Sequence, residues 1–373
     1  MTVRSIDTRN PDDVSKFIQV PFDLYHQHPY WVPPLRREMK ANLDQDANPF
    51  FQHSSAAFFI YERDHQLLGR VAAIHNTRYN QVLEGPPTGF FYYFDAVSDP
   101  TVSAALFQAA FEWARGQGLE KIYGPKGLLQ GDGIGLLVDG FDHLPAMGIP
   151  YNYPYYAELV EASGFRKVSD YYSGYLKASD RVPERIIRIA EKVKNRRGFW
   201  VKKFTSKGEL LDAAPQIRRV YNAAFASGEG FSPISESEMK SIASRMLSIA
   251  DPRLIKLIYK ESQLVGFLFA YPNIGRGLQR SQGRLWPLGW FHLWLESKTT
   301  SYLDMNGIGL HPDHQGVGAT SVLYQAMENT FRDFNFDHVE TVQIREDNSQ
   351  SMAENTALNV TWYKTHRVYE RKL

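Results

Sequence analysis

The chain has 373 residues, more than one ordinary hydrophobic core supports, so two domains are expected. It carries 42 basic and 41 acidic side chains, a net charge of +1, and 43% of its residues are hydrophobic, as in a globular protein. This balance predicts neither a nucleic-acid partner nor a membrane partner, because an anionic partner calls for a basic excess. The absence of cysteine excludes disulfides and a cysteine nucleophile.

Targeting and membrane signals are weak. The first residues, MTVRSIDTRNPDDV, lack the apolar core of a signal peptide. The most apolar run, residues 285–295 (LWPLGWFHLWL), is shorter than the ~20 residues of a membrane span. A cytoplasmic location is therefore expected. No metal site is predicted, since His26, His28 and His53 lack the i, i+4 spacing of a helical ligand pair.

In the first half, a β-hairpin is predicted at residues 58–74 (FFIYERDHQLLGRVAAI) and another strand at 90–97. A helix follows, because Val102, Leu106, Ala109 and Trp113 recur at the spacing of one helical face. A further strand starts at Lys121, a short helix covers 155–163, and extended chain returns at 165–176.

The second half repeats this order. Residues 256–271 (KLIYKESQLVGFLFAY) match the first hairpin, and Gly266 lies 197 residues after Gly69. An amphipathic helix over 210–224 precedes the hairpin. After an insertion at 273–300 come a strand (302–310), a helix (319–330), a strand (338–344), a short helix (351–358) and a last strand (363–373). The pattern predicts an α/β fold with a mixed sheet in each half, and the polar helical segment 178–200 connects residues 1–177 to residues 201–373.

The motif that indicates chemistry is residues 308–323, IGLHPDHQGVGATSVL. A strand ends at Leu310, and Gln315-Gly316-Val317-Gly318 opens the next helix. Glycines let the main chain approach a ligand closely, and the first N–H groups of a helix have no partners inside it. Together with the positive end of the helix dipole, they form a site for a phosphate group.

This stretch resembles the coenzyme A pyrophosphate loop of the GCN5-related N-acetyltransferases (GNAT), whose pattern is Gln/Arg-x-x-Gly-x-Gly/Ala after a strand. Both halves together look like a bacterial group in which two such domains are fused and whose substrates are mostly unassigned. The resemblance implies two tandem GNAT domains, each a mixed twisted sheet flanked by helices, and acetyl-CoA or another acyl-CoA as co-substrate. It further implies coenzyme contacts from the main chain and side chains of Ile308, Leu310, Gln315, Gly316, Val317, Gly318, Ala319, Thr320 and Asn348.

Two positions depart from the family. Thr320 stands where the family has Gly or Ala, and Asn355 stands where it often has a general-acid tyrosine. Tyr324 and Tyr363 are possible substitutes without positional support. Asp304 is the candidate base that takes the proton of an acceptor amine, since family members often carry a carboxylate on this strand. The acceptor is a small molecule or a peptide amine, and the oligomeric state is left open.

The first half lacks the phosphate loop. After Val97 it reads SDPTVSAAL, in which Asp99 is a typical N-cap with Pro100 in the first turn of the helix. A carboxylate there occupies the N–H donors and repels a diphosphate. Residues 1–177 are therefore interpreted as a degenerate GNAT-like domain, and residues 201–373 as the domain with the acyl-CoA site.

Several alternatives remain open. A non-catalytic acyl-CoA sensor or scaffold fits the Asn355 departure as well as an N-acyltransferase does. Residues 131–135 (GDGIG) superficially resemble a dinucleotide-binding motif but fit a simple turn. The aromatic run YNYPYY (151–156) could line a pocket. In the insertion, Trp286, Trp290 and Trp294 share one face of a predicted helix, which would either pack on the other domain or form a lid.

Overall fold

The computed structural model describes residues 2–177, 179–228, 230–247, 250–331, 333–334 and 336–373. The strands are β1 (Thr2–Ser5), β2 (Ser55–Arg63), β3 (Gln66–His75), β4 (Thr88–Ala96), β5 (Lys121–Gly124), β6 (Leu136–Asp139), β7 (Arg166–Lys177), β8 (Phe199–Lys202), β9 (Ile255–Lys260), β10 (Gln263–Pro272), β11 (Tyr302–Leu310), β12 (His338–Arg345) and β13 (Thr361–Lys372). The helices are α1 (Pro11–Leu24), α2 (Arg36–Leu43), α3 (Thr77–Val82), α4 (Pro100–Gly116), α5 (Tyr156–Ala162), α6 (Glu184–Arg197), α7 (Lys207–Phe225), α8 (Glu236–Leu247), α9 (Gly275–Ser281), α10 (Gly289–Thr299), α11 (Ala319–Phe331) and α12 (Ser349–Ala357). None of the described helices is long and apolar enough to cross a membrane.

Two compact units divide the chain, and neither is continuous in sequence. Unit 1 consists of Met1–Tyr172, Gly275–Trp294 and Lys364–Leu373, and unit 2 consists of Ser173–Ile274 and Leu295–Tyr363. This division differs from the predicted one at residues 177 and 200. Most of the insertion and of the last strand belong to unit 1, although both lie in the second half of the sequence. No periodicity in the sequence indicates this.

In unit 1, β1 to β5 follow one another in the sheet, and β13 pairs with β5. The two neighbours β4 and β5 are parallel, whereas β2, β3 and β4 form antiparallel pairs. Helix α4 covers this sheet and buries Val102 and Leu106 of the predicted face, but Ala109 and Trp113 are only half-buried. Phe107 and Phe111, which were not predicted, are buried as well. A buried ion pair joins β3 to β4, because Arg70 Nε lies 2.7 Å from Asp95 Oδ2.

In unit 2, β8, β9, β10, β11 and β12 follow one another in the sheet. Helix α6, which covers most of the predicted connector, belongs to the core of this unit. Its side chains Ile186, Ala190 and Val193 are buried in one hydrophobic cluster with Val322 and Leu323 of α11. These side chains form the apolar face of the helix, and the rest of the cluster covers them, as is usual for an amphipathic helix in a globular domain. The apolar side of this segment is therefore packed within unit 2.

The repeat is present in the sheet register as well as in the sequence. Gly69 pairs with Ala96 in unit 1, and Gly266 pairs with Leu310 in unit 2. The register shifts by one residue just beyond these pairs in both copies. Both glycines are required sterically, since a Cβ at Gly69 would lie 2.8 Å from Asp95 O, and one at Gly266 would lie 2.7 Å from Gly309 O. Residues at matching register positions of the two copies can therefore be compared site by site.

The insertion contacts residues 29–36 of unit 1. Arg36 donates its main-chain N–H to Gly283 O at 2.9 Å, and Gln279 Nε2 donates to Pro29 O and Trp31 O. Contrary to the prediction from the sequence, the three tryptophans do not share one helical face. Trp286 precedes α10, which begins only at Gly289, so the three side chains do not share one helix, and all three are exposed.

Candidate functional site

The strands β11 and β12 of unit 2 pair over only part of their length. The parallel register runs from Tyr302 with His338 to Met305 with Thr341 and stops there, although β11 continues to Leu310 and β12 to Arg345. The side chains beyond the last pair are half-buried from Asn306 to Ile308. We call the space between the two strands beyond this point the opening. The predicted contacts Ile308 and Leu310 lie on its β11 side.

The predicted phosphate loop, residues 315–320, connects β11 to the start of α11. Gln315 Nε2 donates to Leu310 O at 3.1 Å, which ties the loop to the end of the strand. Gly316 and Gly318 have φ of +69° and +83°, a conformation in which a side chain is strained. Within the described ranges, the main-chain N–H groups of residues 316–320 have no hydrogen-bond acceptor. The helix therefore begins with open donors, as an anion site requires.

The two glycines of the loop have different surroundings. A Cβ at Gly316 would meet no described atom within 4 Å, whereas one at Gly318 would lie 3.0 Å from Ile189 Cγ2 and 3.2 Å from Val193 Cγ2. Gly318 therefore lets α6 pack closely against the loop, while Gly316 leaves the main chain accessible from outside. Thr320 donates its Oγ1 hydrogen to Glu354 Oε1 at 3.2 Å, so its side chain points toward α12.

A cationic cavity adjoins the loop. It has a volume of about 400 Å³ and is lined by Arg196, Arg197, Phe199, Lys260, Asp313, His314 and Val317. We call it the basic pocket. Both arginines come from the last turn of α6. Burial, together with the nearby Lys260, lowers the pKa of His314, so the imidazole is neutral at neutral pH. The permanent charges nevertheless favour an anion beside the open amides of the loop.

Two carboxyl groups lie at the closed end of the opening. Asp304 and Glu340 face each other in the β11–β12 register, and Asp304 is only 1% exposed. Asn273 Nδ2 donates to both carboxylate oxygens of Asp304, at 3.2 and 3.0 Å. Tyr363 forms a hydrogen bond with Glu340, and burial, followed by the charge of Glu340, raises the pKa of the phenol above its usual range. Tyr363 therefore keeps its proton and is a donor in this cluster.

The matching sites in unit 1 show that the fold does not require this pair. Phe90 pairs with Ile74 and Tyr123, as Asp304 pairs with Tyr271 and Glu340. The same sheet positions are therefore aromatic in unit 1 and acidic in unit 2. Burying two facing carboxyl groups is costly. A fold that accepts Phe and Tyr at these sites has no structural need for acids, so the pair points to chemistry.

In unit 1, tyrosine side chains occupy the main-chain hydrogen-bonding groups at the position that corresponds to Leu310. Ala96, the register equivalent of Leu310, accepts a hydrogen bond at its O from Tyr155 Oη and donates its N–H to Tyr156 Oη. The aromatic run 151–156 thus fills space within unit 1. Asp99 caps α4 by accepting from the Thr101 N–H at 2.9 Å, which confirms the predicted N-cap.

The other predicted residues have structural partners. Asn348 Oδ1 accepts from the Ser351 N–H at 3.0 Å and caps α12. Asn355 is buried and donates to Ser351 O, while Tyr324 Oη donates to Glu354 Oε2 at 3.3 Å. Neither Asn355 nor Tyr324 belongs to the Asp304 cluster. Residues 131–135 form a turn that leads directly into the strand β6, so they do not open a helix as a dinucleotide site does.

Sequence reasoning missed Glu340 and Asn273 and gave Tyr363 no position. Each is separated from Asp304 by at least 31 residues, and only the strand order brings them together. Only the β11–β12 register places Glu340 opposite Asp304, and no local sequence signal marks it.

Comparison with solved structures identifies the fold as that of the GCN5-related N-acetyltransferases in tandem. A tandem GNAT protein from the clavulanic acid biosynthesis pathway aligns over 100% of this chain and 98% of its own, with a TM-score of 0.57 and 13% identity. A GCN5-related N-acetyltransferase from Anabaena variabilis aligns over 100% of this chain and 73% of its own, with a TM-score of 0.54 and 9% identity. The predicted fold class and the resemblance of fold are thereby confirmed.

Two known proteins are similar in sequence to nearly the whole chain. Protein YghO of Escherichia coli is 27% identical over 98% of this chain and 94% of its own length. A bacterial ceramide synthase of Caulobacter vibrioides is 28% identical over 99% of this chain and 97% of its own length. No family model matches the sequence.

Proposed function

We propose that the protein is an acyl-CoA-dependent N-acyltransferase whose site is the opening between β11 and β12. The observation that carries the proposal is the row of main-chain N–H groups at residues 316–320, which have no acceptor in the described part of the chain and lie beside a pocket with three permanent cations. A diphosphate fits this combination, since helix N-termini bind phosphate through main-chain donors and arginines bind it through paired N–H groups. The fold supports the same class of reaction.

In the proposed reaction, the amide donors of the loop hold the diphosphate, and the part of β11 that follows its last pair with β12 orients the pantetheine arm. The acceptor amine attacks the thioester carbonyl, a C–N bond forms, and the C–S bond breaks. Asp304, supported by Asn273 and Glu340, takes the proton that the amine loses. Tyr363, which is hydrogen-bonded to Glu340 and whose pKa is raised, is the candidate hydrogen-bond donor to the leaving thiolate, which takes its proton from solvent. With no cysteine in the chain, no cysteinyl thioester intermediate forms.

For the acceptor we propose the amine of a long-chain amino alcohol. The support is the likeness to the bacterial ceramide synthase, which extends over 99% of this chain at 28% identity. Ceramides are N-acylated long-chain amino alcohols, so such an enzyme forms the amide bond that the site is proposed to form. Sphinganine is then a better acceptor than ethanolamine, which has the same head group chemistry without the chain.

The test combines binding with turnover. Calorimetry measures the affinity for coenzyme A, and a free-thiol assay measures turnover of acetyl-CoA and palmitoyl-CoA with sphinganine, ethanolamine or a short peptide. We expect thiol release with at least one pair of donor and acceptor. Binding without release for any of them would favour a non-catalytic acyl-CoA sensor, and the absence of binding would refute the proposal.

A matched pair of variants makes the binding test specific. Gly316→Asp places a carboxylate at the open amides, and Gly148→Asp makes the same change in unit 1. Both glycines are exposed, with φ of +69° and +80°, and a Cβ added at either position would have no described atom within 4 Å, so the two variants carry the same backbone strain. Coenzyme A affinity should fall about 100-fold or more in Gly316→Asp through repulsion and occupied donors, and stay unchanged in Gly148→Asp.

A further inference from the structure

The insertion of unit 1 exposes a set of large apolar side chains. The exposed fractions are 80% for Trp286, 63% for Leu288, 55% for Trp290, 41% for Phe291 and 54% for Trp294. Three of them are contiguous, because the Phe291 ring lies 6.0 Å from the rings of both Trp290 and Trp294. We call these five residues the aromatic surface. Folding normally covers side chains of this size, and a contiguous exposed group of them marks an interaction surface.

The charged side chains within residues 275–294, the part of the insertion that belongs to unit 1, have one sign. Residues 275–294 contain Arg276, Arg280 and Arg284 and no acidic residue, and all three arginines are exposed. Arg284 lies near a further cation, Arg36: burial and then the charge of Arg284 lower the pKa of Arg36, while the charge of Asp23 acts in the opposite direction. Residues 275–294 therefore carry a formal charge of +3, in a chain whose net charge is only +1.

We propose that the aromatic surface docks on an anionic lipid bilayer, with the tryptophans in the interfacial layer and the arginines at the lipid phosphates. Tryptophan favours the membrane–water interface, where its ring is partly buried and its N–H stays hydrated. Basic residues beside such rings add attraction to anionic headgroups. The proposal does not depend on the acyltransferase activity.

A second copy of the chain is the less suitable occupant. A two-fold contact would bring two copies of the same acid-free segment together, so that six arginines would meet without a carboxylate from either segment. The cores of protein interfaces are depleted of charge for this reason. A lipid surface supplies the anions that a second copy lacks.

The test is flotation of the full-length protein with vesicles of phosphatidylcholine and phosphatidylglycerol in equal parts, and with vesicles of phosphatidylcholine alone. We expect binding to the anionic vesicles, with a blue shift of the tryptophan fluorescence, and much weaker binding to the neutral ones. The double variant Trp286→Ser/Trp290→Ser should lower the partition coefficient at least about tenfold, because it removes the two most exposed rings of the aromatic surface. Arg276→Gln and Arg284→Gln should each lower it about fivefold.

Trp200→Ser is the matched control. Trp200 is 45% exposed but lies in unit 2, where it stacks on Tyr259, so its replacement should leave vesicle binding unchanged. Circular dichroism verifies that each variant is folded. The proposal is overturned if wild type does not float with anionic vesicles, or if the serine variant floats as well as wild type. It is equally overturned if sedimentation shows a dimer that the serine variant dissociates, since the aromatic surface would then be a self-interface.

Discussion

Replacing Asp304 by Asn separates the chemical role of the carboxylate pair from its effect on stability. The change is nearly isosteric in a fully buried site, so no cavity forms, and Asn273 can still donate to the remaining oxygen of residue 304. We expect the variant to be folded and inactive. If Asp304 takes the amine proton, kcat should fall by about 10² to 10⁴, and affinity for coenzyme A should be unchanged because the phosphate loop is untouched.

The stability should move in the opposite direction. Neighbouring strands lie about 4.8 Å apart, so two ionised groups facing each other across β11 and β12 repel by about 3 kcal/mol at an effective dielectric constant of ~20. Removing one of them relieves at most that amount. The expected gain in the free energy of unfolding is about 1–3 kcal/mol, or a few degrees in Tm. Functional acids commonly destabilise the fold that holds them.

Asp95→Asn provides the contrast in unit 1. Asp95 is also buried, but it faces Arg70 at 2.7 Å, so its loss leaves a buried guanidinium without its counter-charge. This variant should lose about 3–5 kcal/mol. Urea unfolding of both variants, together with the thiol-release rate, measures the two effects. Unchanged kcat in Asp304→Asn, or a loss of more than about 2 kcal/mol there, would show that Asp304 has a structural and not a chemical function.

The remaining predictions concern the basic pocket, a buried histidine and a repeat glycine. Arg197→Ala should weaken binding of coenzyme A about fivefold at low salt and less at high salt, which titrations at two ionic strengths would detect. Burial lowers the pKa of His366 to about 4. Because the unfolded state binds its proton near pH 6.5 and the folded state does not, stability is complete above pH 6.5 and falls by about 3 kcal/mol as the pH drops toward 4. In His366→Gln, unfolding curves should lose that part of the pH dependence. Gly266→Ala should cost about 1–3 kcal/mol in urea unfolding because its Cβ would overlap Leu310 and Gly309, whereas Gly208→Ala, whose Cβ meets only Ser206 Oγ at 3.8 Å among the described atoms, should be neutral.

The sequence alone determined the features that depend on neighbouring residues. Helix α4 and its Asp99 cap, the hairpins around Gly69 and Gly266, and the glycine loop before α11 all follow from side-chain periodicity and turn chemistry within about twenty residues. The duplication could be recognised because both copies retain the same local pattern. The open amides at residues 316–320 are likewise a local consequence of a helix that begins without a capping side chain.

Only the tertiary structure decided which distant residues meet. Glu340 and Asn273 join Asp304 because the strand order places β10 and β12 on either side of β11, and Tyr155 and Tyr156 reach Ala96 only in the folded unit. The sequence also does not show that Trp286 lies before α10, or that the insertion contacts residues 29–36 through Gly283 and Gln279. Hydrophobic burial is not directional, so a sequence pattern shows that an apolar face exists without showing what, if anything, will cover it.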